Sequence, residues 1–205
     1  MTLAVTGLVH EYAGRRVIDG LSFRVGAGEA VALVGPNGSG KTTVLRCVVG
    51  AVVPTGGRVA LAGAPVDERS PDQRRAVAAL LDDLDFFADL SVAEHLDLLA
   101  RAHGNRQPGD LVSALLDEVG LSGAADQLPG SLSSGQRRRL ALATVFVRPR
   151  RLLVLDEPEQ RLDTAGLEWL AAKLIAEKQF GTAVLLASHD DDLVEAVADE
   201  ILAFQ

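Results

Sequence analysis

Nine consecutive residues, Gly35-Pro36-Asn37-Gly38-Ser39-Gly40-Lys41-Thr42-Thr43, follow the pattern G-x-x-x-x-G-K-[ST]. That spacing builds a phosphate-cradling loop between a strand and a helix. The residue types suit this chemistry, since glycines let backbone N–H groups turn inward, the helix start adds positive potential, and a lysine reaches the terminal phosphates. Lys41 is assigned to the β and γ phosphates of a nucleoside triphosphate. Thr42 sits where its hydroxyl would bind Mg2+, and Thr43 lies one residue deeper in the helix. A glycine-rich turn without a ligand would fit the same nine residues, so the flanking chain decides. Before the loop, Ala30-Val31-Ala32-Leu33-Val34 is the apolar run expected of a buried parallel strand. After it, Val44, Leu45, Val48, Val49, Val52 and Val53 recur at helical spacing up to Pro54. Strand, loop and helix are thus predicted in the required order.

Other stretches carry chemistry as well. Leu152-Leu153-Val154-Leu155 runs into Asp156-Glu157-Pro158. An apolar strand ending on two adjacent acids serves a phosphate-loop enzyme: Asp156 would hold the metal, directly or through water, and Glu157 would be the base or position the water. Two acids that merely open a turn are the plain alternative. Ala183 to Ala187 forms another apolar strand, and it delivers Ser188-His189 to the ligand-binding edge of an open α/β sheet. Leu132-Ser133-Ser134-Gly135-Gln136 opens a helix with hydroxyls, a glycine and bare N–H groups, which suits an anion as well as it suits a well-made cap. Tyr12, the only tyrosine, either stacks on an adenine face or is a turn aromatic; the residues alone leave both open.

The elements that must position these groups follow from periodicity. Leu3 and Val5, then Leu21, Phe23 and Val25, alternate as half-buried strands do, with turns at Ala13-Gly14 and Gly26-Ala27-Gly28. Arg58 to Leu61 adds a strand to this antiparallel section. From about Ser70 to Pro149 the pattern is helical: Ser91 with Glu94 and Ser133 with Gln136 predict capping boxes, and Asp110 is read as the cap of a helix between them. Leu167, Leu170, Ala171 and Leu174 define a helix closed by Gly181, in which Trp169 is read as packing. Asp190, Asp191 and Asp192 open the next helix, where negative charge is favoured, and Ile201 to Phe204 ends the chain as a strand. The expected fold is α/β: a phosphate-loop NTPase core with a parallel sheet, an N-terminal antiparallel β section and a helical subdomain over approximately 84–148, all in one domain of 1–205.

Composition narrows the function classes. Twenty basic against twenty-eight acidic residues give a net charge of -8, which argues against nucleic acid as the main partner. The single cysteine, Cys47, falls on the apolar side of the helix after the phosphate loop and reads as a core residue, so no internal disulfide forms and a reducing cytosol suits the chain. The start lacks a signal-peptide pattern, and no run approaches the roughly 18–20 apolar residues that span a bilayer. If membranes matter, another chain crosses them.

Taken together, these pieces resemble the ATPase subunit of ATP-binding cassette (ABC) transporters over essentially the whole length. Gly35 to Thr43 matches the phosphate loop, Leu132 to Gln136 the signature sequence, Leu152 to Glu157 the acidic strand, Leu162-Asp163 the end of the following loop, and His189 the switch histidine. Tyr12 falls where the family's adenine-stacking aromatic sits. The resemblance implies ATP and Mg2+ as ligands and a dimer of cassettes, homodimer or heterodimer, in which the signature of one subunit completes the ATP site of the other. Ser133 and Gly135, with Ser134 and Gln136 beside them, would then face the partner's ATP. Glu157 would activate water and His189 hold the γ-phosphate end. A separate transmembrane permease subunit is implied, with the cassette peripheral on the cytoplasmic face of the cell membrane and no nucleic acid bound.

Three departures stand out. The third signature position is Ser134 instead of glycine; Asp82 stands where the family carries a metal-binding glutamine; and Glu159-Gln160-Arg161 replaces small residues in the loop that meets its twin across the dimer. Asp82 is expected to ligate Mg2+ with altered metal dependence or slower turnover. The bulk and charge of Glu159 to Arg161 hint at a special partner or a heterodimer. Arg137-Arg138-Arg139 could assist the partner's phosphates or meet an acidic surface, and is read first as a solvated helix face. The expected function is an ATP-hydrolysing transport motor, with export favoured over import because the short cassette resembles those of small exporters. The alternatives are a non-transport switch on ribosomes or DNA, against which the acidity speaks, and a regulatory cassette that binds ATP with little hydrolysis. Glu157 and His189 argue against the latter, while Asp82 and Ser134 keep it open.

Overall fold

The computed structural model describes residues 3–81 and 84–205. The chain divides into two compact units: Met1–Leu81, Arg150–Pro158 and Ala171–Gln205 make one, Asp82–Pro149 and Glu159–Leu170 the other. Asp82, expected at the metal, lies outside the described residues.

The first unit holds two sheets. β1 (Leu3–Tyr12) and β2 (Arg15–Val25) pair antiparallel through a two-residue turn at Ala13-Gly14, where both φ angles are positive, at 48° and 79°. That geometry matches the twist of a hairpin. β4 (Gly56–Leu61) and β5 (Ala64–Pro65) complete this sheet in the order β2-β1-β4-β5. The second sheet is parallel, in the order β6-β7-β8-β3-β9, from β3 (Ala30–Val34), β6 (Val77–Leu80), β7 (Leu152–Asp156), β8 (Ala183–Ala187) and β9 (Glu200–Ala203). The central strands are continuous apolar runs because both of their faces are covered. Leu33, Leu152, Val154 and Leu185 are completely buried and share one core with Val44, Leu45 and Val48 of α1 (Lys41–Val48). Each such side chain contributes roughly 1.5–3 kcal/mol. Cys47 lies in that core, and burial pushes its thiol up to about 11. A polar clamp ties the lower ends of β7 and β8: Arg150 Nε donates to Glu177 Oε2 (2.9 Å), Arg150 Nη2 pairs with Glu177 Oε1, and Thr182 Oγ1 donates to Glu177 Oε2 (3.0 Å). Glu177 belongs to α6 (Thr164–Gln179).

The second unit contains α3 (Val92–Ala102), α4 (Gly109–Glu118), α5 (Ser134–Phe146) and the first turns of α6. Leu96, Leu115, Leu116 and Leu140 are among its buried side chains. The Ser91–Glu94 box is formed: Ser91 Oγ accepts from Glu94 N (3.3 Å) and Glu94 Oε2 from Ser91 N (2.7 Å). Trp169 packs edge-on to Phe146 with centroids 5.9 Å apart, and its indole N–H donates to Glu118 Oε1 (3.2 Å). His95 is buried beneath Phe86 and Phe87; its Nε2 accepts from Phe87 N (3.0 Å), and burial holds its pKa below the ordinary histidine value.

Several expectations are corrected. α1 stops at Val48 and not at Pro54, because Gly50 takes a left-handed φ of 82° and ends the helix, leaving Val53 exposed. The stretch from Ser70 is not helical throughout: after α2 (Pro71–Ala76), Val77–Leu80 is an edge strand of the parallel sheet, paired with β7. Asp110 does not cap α4; Pro108 occupies the N-cap, and Asp110 lies in the first turn. The arginine triad is a solvated face only in part: Arg137 is exposed while it donates to Pro129 O, but Arg138 is buried and Arg139 donates to Val119 O and Asp163. The acidic opening of the last helix, by contrast, is as expected: the Asp190 carboxylate caps α7 (Asp191–Val197) by accepting from Leu193 N at 2.8 Å, with Asp191 and Asp192 in the first turn.

Candidate active site

The order β7-β8-β3 sets three carboxyl ends side by side, where an open parallel sheet binds its ligands. In register, Ala187 pairs with both Leu33 and Asp156. The phosphate loop, Ser188-His189 and Asp156-Glu157 therefore leave the sheet at one edge. Glu157 N donates to Ala187 O (2.8 Å) and Ser188 N to Leu33 O (3.3 Å), which anchors the two chain exits to the sheet. Glu157 has a φ of 45°, an unfavourable left-handed backbone for a residue with a Cβ, and such outliers concentrate at functional positions.

The loop itself is built as an anion cradle. Gly40 occupies the N-cap of α1 with φ 103° and no side-chain cap, and no acid stands in the first turn, so the N–H groups at the helix start are left to a ligand. Glycine is required there: a Cβ on Gly40 would meet Val17 O at 3.0 Å, and one on Gly35 would meet Phe204 O at 2.5 Å. Ser39 Oγ is buried in the loop without a partner among the described residues, an unmet polar atom that a phosphate oxygen would satisfy. The cleft above the loop measures about 270 Å3. Tyr12, Val17, Asn37, Gly38, Lys41, Thr42, Thr43 and Glu157 line it. Tyr12 is half exposed at its rim and backed edge-on by the buried His10, with ring centroids 4.5 Å apart.

Lys41 is buried, and its ammonium is satisfied by the loop's own backbone: Nζ donates to Gly35 O (2.7 Å) and Pro36 O (3.0 Å). His189 Nε2 lies 3.4 Å from that Nζ, 2.8 Å from Asn37 Oδ1 and 3.1 Å from Glu157 Oε1. One imidazole nitrogen thus joins the cation, the loop amide and the acid. Thr42 stands in the first turn of α1 and Asp156 at the end of β7, both partly buried. A hydroxyl and a carboxylate, completed by phosphate oxygens and water, fit the donor chemistry of Mg2+.

The second unit presents a separate pocket of about 400 Å3 at the start of α5. Ser133 is the N-cap, and the capping box closes: Ser133 Oγ accepts from Gln136 N (3.2 Å) and Gln136 Oε1 from Ser133 N (3.0 Å). Gly120, Ser133, Gly135, Gln136, Arg139, Arg161 and Asp163 line the pocket, whereas Ser134 is exposed beside it. Asp163 accepts from Gly166 N (3.0 Å); its hydrogen bond to Arg139 chiefly, and this one next, hold its carboxyl below the usual range. Residue chemistry alone did not single out Val17, His10 or Gly120 as site residues: Val17 and Gly120 carry no chemical signal, and His10 enters the site only by backing Tyr12 two residues on in β1. Arg139, of the arginine triad, lines the second pocket three residues after Gln136 on α5.

The known proteins this chain is similar to agree with one another. The family model described as ABC transporter matches residues 18–160. The SkfA peptide export ATP-binding protein SkfE of Bacillus subtilis (strain 168) is 35% identical over 187 residues, covering 90% of this chain and 77% of that protein. The Fe(3+) ions import ATP-binding protein FbpC of Streptomyces avermitilis is 36% identical over 209 residues, covering 100% of this chain and 60% of that protein. A solved ATP binding subunit of an ABC transporter superposes with a TM-score of 0.91 at 26% identity, covering 100% of this chain and 86% of that one.

Proposed function

The chain belongs to the ABC transporter family as an ATP-binding subunit, and from that premise we propose that it is a hydrolytic motor which works as a pair of cassettes on a separate membrane permease. The observation that carries the reading is the meeting of Lys41, His189 and Glu157 around one imidazole nitrogen at the phosphate loop. ATP would draw the Lys41 ammonium from the Gly35 and Pro36 carbonyls onto the β and γ phosphates, so the loop exchanges internal contacts for ligand contacts. His189 would leave Glu157 for the γ-phosphate, and the released carboxylate would orient and deprotonate the attacking water. Tyr12 would stack on the base. Thr42 and Asp156, with Asp82, would hold Mg2+, which when bound neutralises charge on the phosphates.

A second ATP-contacting surface is ascribed to Ser133, Ser134, Gly135 and Gln136, whose helix start would cap the γ-phosphate of the partner cassette's nucleotide. Among the described residues no helix is long and apolar enough to cross a membrane. The relatives' names, ATP-binding proteins of export and of import, support a permease carried by another chain. Export is favoured here on the export ATP-binding proteins among the relatives, with the chain peripheral on the cytoplasmic face.

The test compares ATP hydrolysis by the wild type and Glu157→Gln across protein concentrations, with light scattering to follow dimers. Turnover that rises faster than linearly, and is lost in a variant that ATP holds as a dimer, is expected. A Glu157→Gln variant that keeps wild-type turnover refutes the assigned chemistry. Binding without turnover in the wild type would favour the regulatory alternative.

A further inference from the structure

The buried residues of β1 are Leu3, Val5, Leu8 and His10, and two positions further on Tyr12 is 46% exposed at the rim of the nucleotide cleft. His10 is thus the last buried side chain of the strand before the cleft, and the only polar one among the four. It is 7% exposed, and neither of its ring nitrogens has a hydrogen-bond partner among the described residues. Buried polar groups are nearly always paired, so an aliphatic side chain would fill the same place without the cost of two stranded nitrogens. What an aliphatic side chain lacks is a ring edge. The imidazole meets the Tyr12 phenol at 74° with centroids 4.5 Å apart, a T-shaped pairing in which the positive rim of one ring meets the negative face of the other. Tyr12 has no side-chain hydrogen bond among the described residues, and its one ring contact is with His10. The pairing of β1 with β2 shifts register on both sides of His10, an irregularity of the kind that re-aims side chains next to binding sites.

We propose that His10 is a positioning residue for the nucleotide base: its ring holds the Tyr12 phenol in place at the cleft rim, so that the base meets a platform already ordered. The proposal rests on the reading of Tyr12 as the residue that stacks on the base. A half-exposed aromatic side chain at the end of a hairpin loses rotamer freedom when a ligand fixes it, and holding it beforehand removes that loss from the binding step. Stacking tolerates any base, because every base has a π-face, so His10 serves the base of a nucleotide as a class and leaves the phosphate contacts of Lys41 and its loop untouched. The stranded nitrogens of His10 thereby acquire a reason: the ring is kept for its edge.

The test titrates the full chain by calorimetry with ADP, which carries the base, and with inorganic pyrophosphate, which lacks it. His10→Leu keeps the position apolar and filled but removes the ring; His10→Phe returns a ring edge without the nitrogens. The leucine variant is expected to bind ADP about fivefold more weakly and pyrophosphate within about twofold of the wild type, and the phenylalanine variant to recover ADP to within about twofold. In ATP hydrolysis the loss should appear in KM, with kcat kept. Neither melting temperature should fall, since each variant removes two unpaired buried nitrogens. Added to Tyr12→Ala, His10→Leu should weaken ADP by less than a further factor of about two, because the residue it acts through is gone. Equal losses for ADP and pyrophosphate, accompanied by a lower melting temperature, would mark a structural role and overturn the proposal. ADP affinity that stays within about twofold on His10→Leu, where Tyr12→Ala still weakens it, overturns the role of His10 and leaves the stacking reading standing. ADP binding that Tyr12→Ala does not change overturns both.

Discussion

Replacing Glu177 by alanine removes the acid at the centre of the clamp beneath β7 and β8. Its side chain is 9% exposed and that of Arg150 14%, so the substitution strips a nearly dry guanidinium of its carboxylate and Thr182 Oγ1 of its acceptor. Breaking one side of a buried pair costs about 3–5 kcal/mol, and the water that reaches Arg150 argues for the lower end, about 3 kcal/mol. In a chain of this size each kcal/mol moves the melting temperature by roughly 2–4 °C, so a far-ultraviolet circular dichroism melt should fall by about 6–12 °C. Replacing both partners, Arg150→Met with Glu177→Leu, should restore the melt to within roughly 1 kcal/mol of the wild type, since the pair's net worth over a packed apolar isostere is small. A single substitution that shifts the melt by less than about 3 °C would refute the reasoning, for it would mean the guanidinium is solvated despite its burial.

Two other outcomes are expected. Burial keeps the folded-state pKa of His95 below its unfolded value near 6.5, so its contribution to stability is present above about pH 6.5 and is lost as pH falls toward the folded value. His95→Gln, whose amide oxygen can still accept from Phe87 N, should melt with a shallower decline on acidification; a decline equal to that of the wild type would remove His95 as its source. Asp82→Gln should raise the Mg2+ concentration for half-maximal hydrolysis by a factor of roughly three or more, through loss of a charged oxygen, and an unchanged Mg2+ curve would exclude Asp82 from the metal set.

The parts legible in the sequence are those whose chemistry is contiguous. A phosphate loop needs its glycines, lysine and threonine in one run, and a capping box spans four residues, so Gly35 to Thr43, Ser91–Glu94 and Ser133–Gln136 could be read directly. The parallel strands around Leu33, Leu153 and Leu185 were legible because burial on both faces demands an unbroken apolar run. β6 was hidden: Val77–Leu80 is four residues long and follows a six-residue helix with no turn residue between them, so its strand state is set by pairing with Leu152–Leu155 far along the chain. The burial of Arg138 was equally illegible, since three arginines in a row look solvated until the folded chain buries one. Likewise the contact of Asn37 with His189 joins residues 152 positions apart and exists only through the strand register.

The chain has one tyrosine and one tryptophan, and they stand in different units: Tyr12 at the rim of the nucleotide cleft, Trp169 against Phe146 and Glu118 in the helical unit. The protein is therefore optically partitioned without any label. Selective excitation of the indole reports the helical unit alone, and quenching or a colour shift of its emission reads the polarity around the Glu118 contact. The phenol reports the cleft where a base would lie. A spectroscopist can follow each unit through a catalytic cycle by choosing the wavelength.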